Sequence, residues 1–418
     1  MRVLIAGAGI GGLTAALSLH AAGIDALVVD SAARLGPSGV GINLLPHAVR
    51  ELTELGLGDA LAATAIPTGE MVHFDRHGGR IWGEPRGRAL GYHWPQYSVH
   101  RGDLQMLLLT AARERLGGAA VREAITLEAF EEAGGEIRAR LLDRGDVAAV
   151  TADVLVGADG LHSRVRAHLH PGEPPPLWNG IRMWRGVTEA EPFLTGRTLA
   201  VAGSNTRAKF VAYPISLRSE VERGRATVNW VAEVRLPEGS PGPAAWDRAG
   251  DLDEVLPHFD GWRFDWLDVP ALLKATATIL QYPMVDRDPL PFWSRGRVTL
   301  LGDAAHPMYP IGSNGGSQAI LDARVLAYEL ARAASPAGGL AAYDRARREP
   351  VNRIVLANRA MPADRVLHTV AERAPGGFAR IEDVLTPAEL TEITGAYRRT
   401  SFADVEALNT RPSWTAPR

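Results

Sequence analysis

The stretch that decides the fold is RVLIAGAGIGG, residues 2–12, at the start of the chain. A short apolar run leads into glycines with G-x-G-x-x-G spacing and then into a segment rich in Ala and Leu, which predicts a strand, a tight turn and a helix. We expect Gly7 to turn the chain off the strand, Gly9 to leave room for a pyrophosphate, and Gly12 to let the helix pack closely. The unpaired N–H groups at the helix start would then face an anion.

An acid at the end of the next strand strengthens this interpretation. The apolar segment 26–29 ends in Asp30, at the spacing that a ribose-binding carboxylate has in dinucleotide-binding folds. The glycine spacing is a weak indicator by itself, because glycines also cluster in ordinary turns. A strand, a helix and a terminal acid in the expected order favour a dinucleotide site.

Length and composition exclude several classes of protein. The 418 residues suffice for two or three domains of roughly 100–200 residues each. Apolar residues make up 46% and charged residues 22%, as in ordinary globular proteins. The net charge of −3 gives no reason to expect nucleic acid or a membrane surface as a partner. The absence of cysteine excludes disulfides, thiolate zinc sites, cysteine-ligated iron–sulfur clusters and a redox-active CxxC pair.

The sequence shows no targeting signal that we recognise. Met1 leads directly into the first strand, without the charged and apolar regions of a secretory signal. No apolar run reaches the ~18 residues that a membrane-spanning helix needs. We therefore expect a cytoplasmic protein.

A proline cluster at residues 170–176 marks a linker between two kinds of segment. Beyond it, strand-like runs mix Val, Trp, Tyr and Thr with alternating polar residues, as in a half-buried sheet. We predict an α/β fold in which a Rossmann-like dinucleotide-binding domain carries an inserted β-sheet domain and is followed by a helical C-terminal segment. The predicted boundaries are 1–176 and 293–360 for the two parts of the dinucleotide-binding domain, 177–292 for the mainly β domain, and 361–418 for the C-terminal segment.

Three predicted strands end in an acid, and two of these acids adjoin a glycine. They are Asp30, Asp159 and Asp303. The carboxyl ends of parallel strands meet at one edge of a sheet, so we expect an extended dinucleotide to be reached from several sides there. Asp159 could equally cap a helix that begins near Ser163.

These three sites resemble the fingerprints of the single-component FAD-dependent aromatic hydroxylases, the family typified by para-hydroxybenzoate hydroxylase, and especially its phenazine-hydroxylating members. The resemblance extends to residues 39–43, 183–187, 212–216, 229–231, 280–291 and 302–322. It implies FAD as cofactor, NADH or NADPH as a transient reductant, and O2 and a small aromatic substrate as reactants. It also implies the family's mechanism, in which a flavin C4a-hydroperoxide delivers OH to an electron-rich ring.

The resemblance also implies which residues contact the flavin. Arg101 would lie near its phosphate and ribitol, Asp303 near the ribityl or pyrophosphate part, and the backbone of Gly316 and Ser317 near the charge of the reduced ring. The full set implied is Gly7, Gly9, Ile10, Gly11, Gly12, Asp30, Ser31, Val40, Gly41, Arg101, Asp159, Gly302, Asp303, Pro310, Gly312, Gly315, Gly316 and Ser317.

Residues on the strands of the second domain are candidates for the substrate pocket. Trp184, Arg185, Tyr213 and Trp230 lie on predicted strands, and Tyr309 lies in a loop expected to face the flavin. A core or scaffold role is the better explanation for each of the four strand residues taken singly, and Tyr309 is better placed for a pocket role. Arg185 could bind a substrate carboxylate or form a structural ion pair. No catalytic base is identifiable.

We expect no metal site. His73 and His77 have HxxxH spacing, but on a strand four residues span roughly 13 Å, too far to share one ion.

Two other functions remain open at this point. One is a salicylate-type hydroxylase acting on a smaller ring. The other is a non-catalytic binding protein with an FAD fold, like the dissociation inhibitors of small GTPases, although the intact loop at residues 310–317 argues against it. The sequence allows a monomer or a homodimer.

Overall fold

The computed structural model describes residues 1–143, 145–240, 248–361, 364–401 and 404–416. Its strands, in chain order, are β1 Arg2–Ala6, β2 Asp25–Val29, β3 Gly41–Leu44, β4 Ile66–Thr68, β5 Glu70–Phe74, β6 Arg80–Pro85, β7 Gln96–His100, β8 Val121–Arg122, β9 Ile125–Ala133, β10 Glu136–Asp143, β11 Asp146–Ala152, β12 Val154–Gly157, β13 Leu177–Ala190, β14 Thr198–Ser204, β15 Ala208–Pro214, β16 Ala226–Arg235, β17 Arg248–Ala249, β18 Arg263–Phe264, β19 Leu267–Asp268, β20 Ile279–Asp286, β21 Ser294–Arg295 and β22 Val298–Leu300.

The α-helices lie between and after these strands. In chain order they are α1 Ile10–Ala21, α2 Pro46–Glu54, α3 Gly58–Thr64, α4 Arg101–Leu116, α5 Arg164–Leu169, α6 Leu217–Arg223, α7 Leu252–Val255, α8 Val269–Lys274, α9 Asn314–Arg332, α10 Pro336–Arg359, α11 Arg365–Arg373, α12 Pro387–Ser401 and α13 Val405–Thr410.

A six-stranded sheet forms the centre of the first layer, with strand order β21-β22-β12-β1-β2-β8. The pairs from β22 to β8 are parallel. Val3, Leu4 and Ile5 of β1 are fully buried on both faces of the strand, as expected for the centre of a parallel sheet. This sheet and its helices confirm the predicted α/β, Rossmann-like fold class.

An eight-stranded sheet forms the second unit, with order β17-β20-β13-β16-β15-β14-β5-β6. Most of its strands come from the segment that we predicted to be mainly β. However, the hairpin β5–β6 joins the same sheet through parallel pairing of β5 with β14, although it lies within the predicted 1–176 segment. The chain therefore enters this sheet twice, which the proline cluster alone could not indicate.

The two faces of the eight-stranded sheet have different neighbours. One face packs on a core that includes Phe259 and Leu273, from the region of α7 and α8. The other face meets α11 through residues such as Val366, and meets the loop that contains Ile311. The site described below lies on this second face.

The described ranges contain neither a membrane-spanning helix nor a metal-binding cluster. No helix there is both long and apolar enough to cross a membrane. Within the same ranges, no three His, Asp or Glu side chains are grouped as they would be around a metal ion.

Candidate active site

The carboxyl ends of the parallel strands bring the predicted fingerprints together. β12 lies between β1 and β22, and β2 lies on the other side of β1. Backbone hydrogen bonds continue past the strand ends, from Gly7 N to Val29 O and from Leu301 N to Gly157 O, both of normal length. Gly7, Asp30, Asp159 and Gly302 therefore lie along one edge of one sheet.

The glycine loop after β1 is tight at two positions and open at a third. Gly7 has φ +107°, and a Cβ there would lie 2.3 Å from Ala158 O. A Cβ at Gly12 would lie 2.0 Å from Gly7 O, so α1 packs directly on the turn. A Cβ at Gly9 would meet no heavy atom within 4 Å. The loop thus has a rigid base and an open outer surface.

Asp30 holds this loop from the end of β2. Its carboxylate accepts hydrogen bonds from Ala8 N at 2.7 Å and from Ala32 N at 2.8 Å. The side chain remains partly exposed at the strand end, next to exposed Ser31. The carboxylate therefore already orders the turn.

Arg101 begins α4 on the same side of the molecule. Gln105, one turn later, donates from Nε2 to Ala8 O at 2.8 Å, and residues i and i+4 share one face of a helix. Arg101 is exposed, and no described residue accepts a hydrogen bond or forms an ion pair with its guanidinium. An unpaired cation thus lies beside the glycine loop.

The segment after β22 carries the exposed carboxylate of Asp303 and is held from behind by a buried group around Asp322. Gly302 has φ +60° and donates from its backbone N to Asp322 Oδ2 at 3.1 Å. Asp322 also accepts from His306 Nε2 at 2.5 Å and from Arg347 Nε at 2.8 Å. Burial would raise the pKa of Asp322, but His306 and Arg347 outweigh burial and lower it. Asp303 itself is exposed and not held by this buried group.

The loop from residue 310 to 313 ends at the start of the 19-residue helix α9. Gly312 has φ +71°, and a Cβ at Gly315 would meet nothing within 4 Å. Ser317 is fully buried, and its Oγ accepts from Leu45 N at 3.0 Å. The side chain of Ser317 therefore has a structural partner, while the glycines before it leave the helix start open.

Asp159 caps the helix that follows it. Its carboxylate accepts from Ser163 Oγ at 2.5 Å and from Arg164 N at 2.8 Å, and Ser163 itself caps α5 by accepting from Arg166 N. Burial raises the pKa of Asp159, although these hydrogen bonds oppose the shift. Of the two roles left open from the sequence, helix capping is the one for which the structure gives contacts.

A cavity of about 110 Å³ lies between the eight-stranded sheet and the loop before α9. Its floor is a row of paired residues in which Val201 faces Val211, Val211 faces Val231, and Val231 faces Arg185. Leu199, Met71 and Ile311 extend the apolar lining. The middle of the cavity therefore offers a flat apolar surface.

One end of the cavity is held to the segment near β3 by hydrogen bonds. Arg185 Nη2 donates to Gly41 O at 2.9 Å, and Gly41 N donates to Asn229 Oδ1 at 2.6 Å. The Tyr213 side chain hydrogen-bonds with Arg185 and Asn229. Burial raises the pKa of Tyr213, although both partners oppose the shift, so the phenol is protonated at neutral pH.

The comparisons with known proteins agree with this geometry. A family described as FAD binding domain matches residues 1–192 and 285–358. The chain belongs to this FAD-binding family.

Curated relatives show what this family member does. The chain is 50% identical over 401 residues to the phenazine 1,6-dicarboxylic acid hydroxylase PhzS of Lysobacter antibioticus, covering 95% of this chain and 96% of that protein. It is 33% identical to 3-hydroxybenzoate 6-hydroxylase 1 of Aquipseudomonas alcaligenes, covering 92% and 93%. The chain is therefore an FAD-dependent aromatic monooxygenase. The relatives give no support to a non-catalytic binding protein.

Solved structures share the fold across the whole chain. Klebsiella pneumoniae HpxO, in complex with FAD and uric acid, has a TM-score of 0.73 at 24% identity, covering 98% of this chain and 95% of that one. A salicylate hydroxylase in complex with its substrate has a TM-score of 0.72 at 22% identity, covering 99% and 98%. These matches agree with the predicted fold class.

Of the five candidate pocket residues of the monooxygenase, two line the cavity and three do not. Arg185 and Tyr213 line the cavity. Trp184 and Trp230 do not line it and lie in the core, which is the alternative that the sequence left open. Trp184 follows the opposite alternation from its neighbour Arg185, so both tryptophans pack into the core with Phe210 and the helices beyond. Tyr309 is buried against Met183 and Met361 and is likewise outside the cavity lining.

Sequence reasoning missed the charged end of the cavity. Lys209 and Glu233 face each other across β15 and β16, and Asp364 reaches them from the C-terminal segment. A lysine and a glutamate inside otherwise apolar strands were a visible signal, because such residues are almost never fully buried unless paired. Their partner Asp364 is more than 100 residues away and could not be identified from either strand.

His73 is a further cavity residue that was considered only as a metal ligand. It is 1% exposed and stacks on Trp82 with ring centroids 5.3 Å apart. Burial, together with the charge of Arg86, lowers the pKa of His73 to about 3, so the ring is neutral at physiological pH.

Proposed function

We propose that this monooxygenase hydroxylates a planar fused-ring aromatic acid of the phenazine class, with O2 as oxidant and NADH or NADPH as reductant. The observation that carries this proposal is the 50% identity, over nearly the whole length of both chains, to a phenazine 1,6-dicarboxylic acid hydroxylase. The flat apolar floor formed by Val201, Val211 and Val231 supports it, because such a surface suits the face of an aromatic ring.

The edge of the six-stranded sheet fits the FAD that the family binds. Gly9 has open space where a Cβ would be, so backbone could approach a pyrophosphate there. Arg101 is an unpaired cation beside that loop and would bind a phosphate oxygen. Asp303 would accept a hydrogen bond from a ribityl or ribose hydroxyl, and Asp30 would do so from the adenosine ribose. The chemistry that FAD supplies when bound is the activation of O2 for transfer to an aromatic ring.

The start of α9 would lie against the flavin ring and stabilise its negative charge. The backbone N–H groups of Gly316 and Ser317 lie in the first turn of a long helix, where unpaired donors and the helix dipole favour negative charge. The backbone of Pro310, Gly312 and Gly315 leaves this turn accessible. We propose that these groups stabilise the negative charge that reduction adds.

The cavity residues would position the substrate and exclude water. Arg185 has a buried Nε that donates to no described residue, and it would bind a carboxylate of the substrate. Tyr213 would keep the Arg185 guanidinium in place and, as a protonated phenol, would not compete for it. We assign no side chain as a base.

The decisive experiment compares ring sizes with the purified, FAD-loaded protein. We expect phenazine-1,6-dicarboxylate or phenazine-1-carboxylate to stimulate NADH or NADPH oxidation and to yield a product with one added oxygen by mass, with or without loss of CO2. Salicylate and 3-hydroxybenzoate should give little product. Efficient hydroxylation of salicylate alone would establish the smaller-ring alternative, and stimulation without an oxygenated product would contradict phenazines as substrates.

The proposal also includes the cellular location and the oligomeric state. We propose a cytoplasmic enzyme, because NADH and NADPH are supplied there. We also propose that it is a monomer or a homodimer, which sedimentation of the FAD-loaded protein would distinguish.

A further inference from the structure

The charged end of the cavity contains one ammonium group and two carboxylates. Lys209 Nζ lies 2.9 Å and 3.0 Å from the two oxygens of Asp364 and 3.0 Å from Glu233 Oε2. Asn205 Nδ2 adds a hydrogen bond to Asp364 at 2.9 Å. The side chains of Lys209, Glu233 and Asp364 are each at most 5% exposed. Two carboxylates therefore share one ammonium group, which leaves the cluster with one negative charge in excess.

Among the described residues, Lys209 is the one cation within ion-pair distance of Glu233, and Asp364 shares it. Arg86 is nearby, but it is already paired with Glu84. His73 is neutral at physiological pH, for the reasons given above. A buried carboxylate without its own counter-charge is costly, and protonation removes that cost. In agreement, burial raises the pKa of Glu233 and Asp364 adds to the rise, while Lys209 and a hydrogen bond with Asn205 oppose it.

We propose that Glu233 is protonated in the resting enzyme and donates a hydrogen bond to an acceptor atom of the bound ring, so that the cavity selects nitrogen heterocycles over carbocyclic acids. This inference rests on the proposed function, because it concerns the substrate of the same cavity. It names a second recognition point, distinct from the carboxylate contact at Arg185.

The pairing of the strands places these two points on two adjacent sides of the apolar residue Val231. Arg185 pairs with Val231, and Glu233 lies two residues farther along the same strand, about 7 Å away. A ring that lies on Val231 and directs its carboxylate to Arg185 would direct another edge toward Glu233. In a phenazine, that edge can present a ring nitrogen, which accepts a hydrogen bond and donates none.

The test uses two ligands of the same shape, phenazine-1-carboxylate and anthracene-1-carboxylate, which lacks both nitrogens. Dissociation constants are measured on the FAD-loaded enzyme from the change in flavin absorbance. We expect the wild type to bind the phenazine about tenfold more tightly. Glu233→Gln should keep this preference, because the amide also donates, whereas Glu233→Leu should reduce the ratio to about one. Glu222→Leu, at an exposed surface position, is the matched control and should behave as the wild type.

A second measurement does not depend on the folding of the Leu variant. The wild-type preference should fall as pH rises, because an ionised Glu233 no longer donates, while that of Glu233→Gln should stay constant. The other charged or titratable groups around Glu233 are present in both proteins, so the comparison isolates Glu233; they are Lys209, Asp364, His73, Arg86 and His368.

The outcomes separate this inference from the proposed function. If the wild type shows no preference for the phenazine, or if Glu233→Leu keeps the wild-type ratio, Glu233 is not the donor. A pH-independent preference in the wild type would also overturn the inference. Each of these results can occur in an enzyme that still hydroxylates phenazine acids, whereas an enzyme that hydroxylates none of them contradicts the proposed function itself.

Discussion

Two glycines of the first turn differ in the space around them, and this difference can be tested with one methyl group. At Gly12 an added Cβ would lie 2.0 Å from Gly7 O, so Gly12→Ala should destabilise the apoprotein by about 1–3 kcal/mol. Gly9 has φ −70°, which Ala adopts freely, and its Cβ would meet nothing. Gly9→Ala should therefore unfold like the wild-type apoprotein but bind FAD at least about tenfold more weakly, because the methyl group occupies the proposed pyrophosphate space.

Thermal unfolding of the apoproteins and fluorescence titration with FAD distinguish the two effects. If Gly9→Ala binds FAD as tightly as the wild type, the open surface of the loop does not face the pyrophosphate. Gly12→Ala with an unchanged melting temperature would mean that the first turn of α1 can shift.

Arg101 is expected to affect cofactor binding and not folding. Because it is exposed and unpaired, Arg101→Ala should change the free energy of unfolding of the apoprotein by less than about 0.5 kcal/mol. A charge-assisted hydrogen bond to phosphate contributes about 1.5–3 kcal/mol, so the FAD dissociation constant should rise roughly tenfold or more. Arg345→Ala, another exposed arginine, serves as control. Equal FAD affinity of the two variants would place the phosphate elsewhere.

At the scale of elements, the sequence predicted the order and type of the strands and helices better than it predicted which way their side chains point. The first strand–turn–helix unit and the returning strands β12 and β22 follow from apolar runs that end in glycine and acid, because those patterns are local. The direction of a side chain depends on strand register. Trp184 and Arg185 are adjacent, and only the pairing with β16 determines which of them faces the cavity. Asp364 reaches the charged end of the cavity only because the C-terminal segment packs on the sheet, and no local sequence pattern indicates that packing.

The buried group around Asp322 joins three elements behind the proposed flavin edge, and its removal should destabilise the fold. Asp322 lies on α9, Arg347 on α10, and His306 in the segment after β22. Asp322→Asn would leave Arg347 without its carboxylate, so we expect a loss of about 3–5 kcal/mol at pH 7. Asp303→Asn, at an exposed position one residue beyond Gly302, should leave the unfolding of the apoprotein unchanged.

The stability lost in Asp322→Asn should decrease as pH falls. Because the folded-state pKa of Asp322 is lowered, its contribution is complete above its unfolded pKa of about 4 and disappears as pH falls through the lower folded value. Urea unfolding should therefore show the largest difference between wild type and Asp322→Asn near pH 7 and a shrinking difference below about pH 4. A difference that grows on acidification would show that Asp322 is protonated in the folded state.

At the scale of the whole molecule, a buried cluster around Arg50 fastens the end of the chain to the FAD-binding part. Arg50 of α2 donates from Nη1 to Leu408 O at 3.1 Å and to Arg411 O at 2.8 Å, and its Nη2 lies 2.8 Å from Glu51 Oε1. Arg324 of α9 contacts Glu51 as well, at 3.1 Å. The two arginines share one carboxylate. Arg50 also donates to a third carbonyl group of the tail, Pro412 O at 3.3 Å, whereas Arg324 reaches the tail at Thr415 Oγ1, 3.0 Å away.

We expect Arg50→Ala to release the tail without disrupting the rest of the fold. Glu51 keeps Arg324 as a partner, so no buried charge is left alone, and the loss is that of the carbonyl contacts and of packing against Trp94. Chymotrypsin should then cleave after Trp414 much faster than in the wild type, as read by mass spectrometry of the FAD-loaded protein. Arg50→Lys keeps the charge but cannot span the three carbonyls, so cleavage should be intermediate. If Arg50→Ala is cleaved no faster than the wild type, the tail is held by its other contacts, which include Arg324 with Thr415, Glu51 with Trp414 N, and Trp414 against Tyr328.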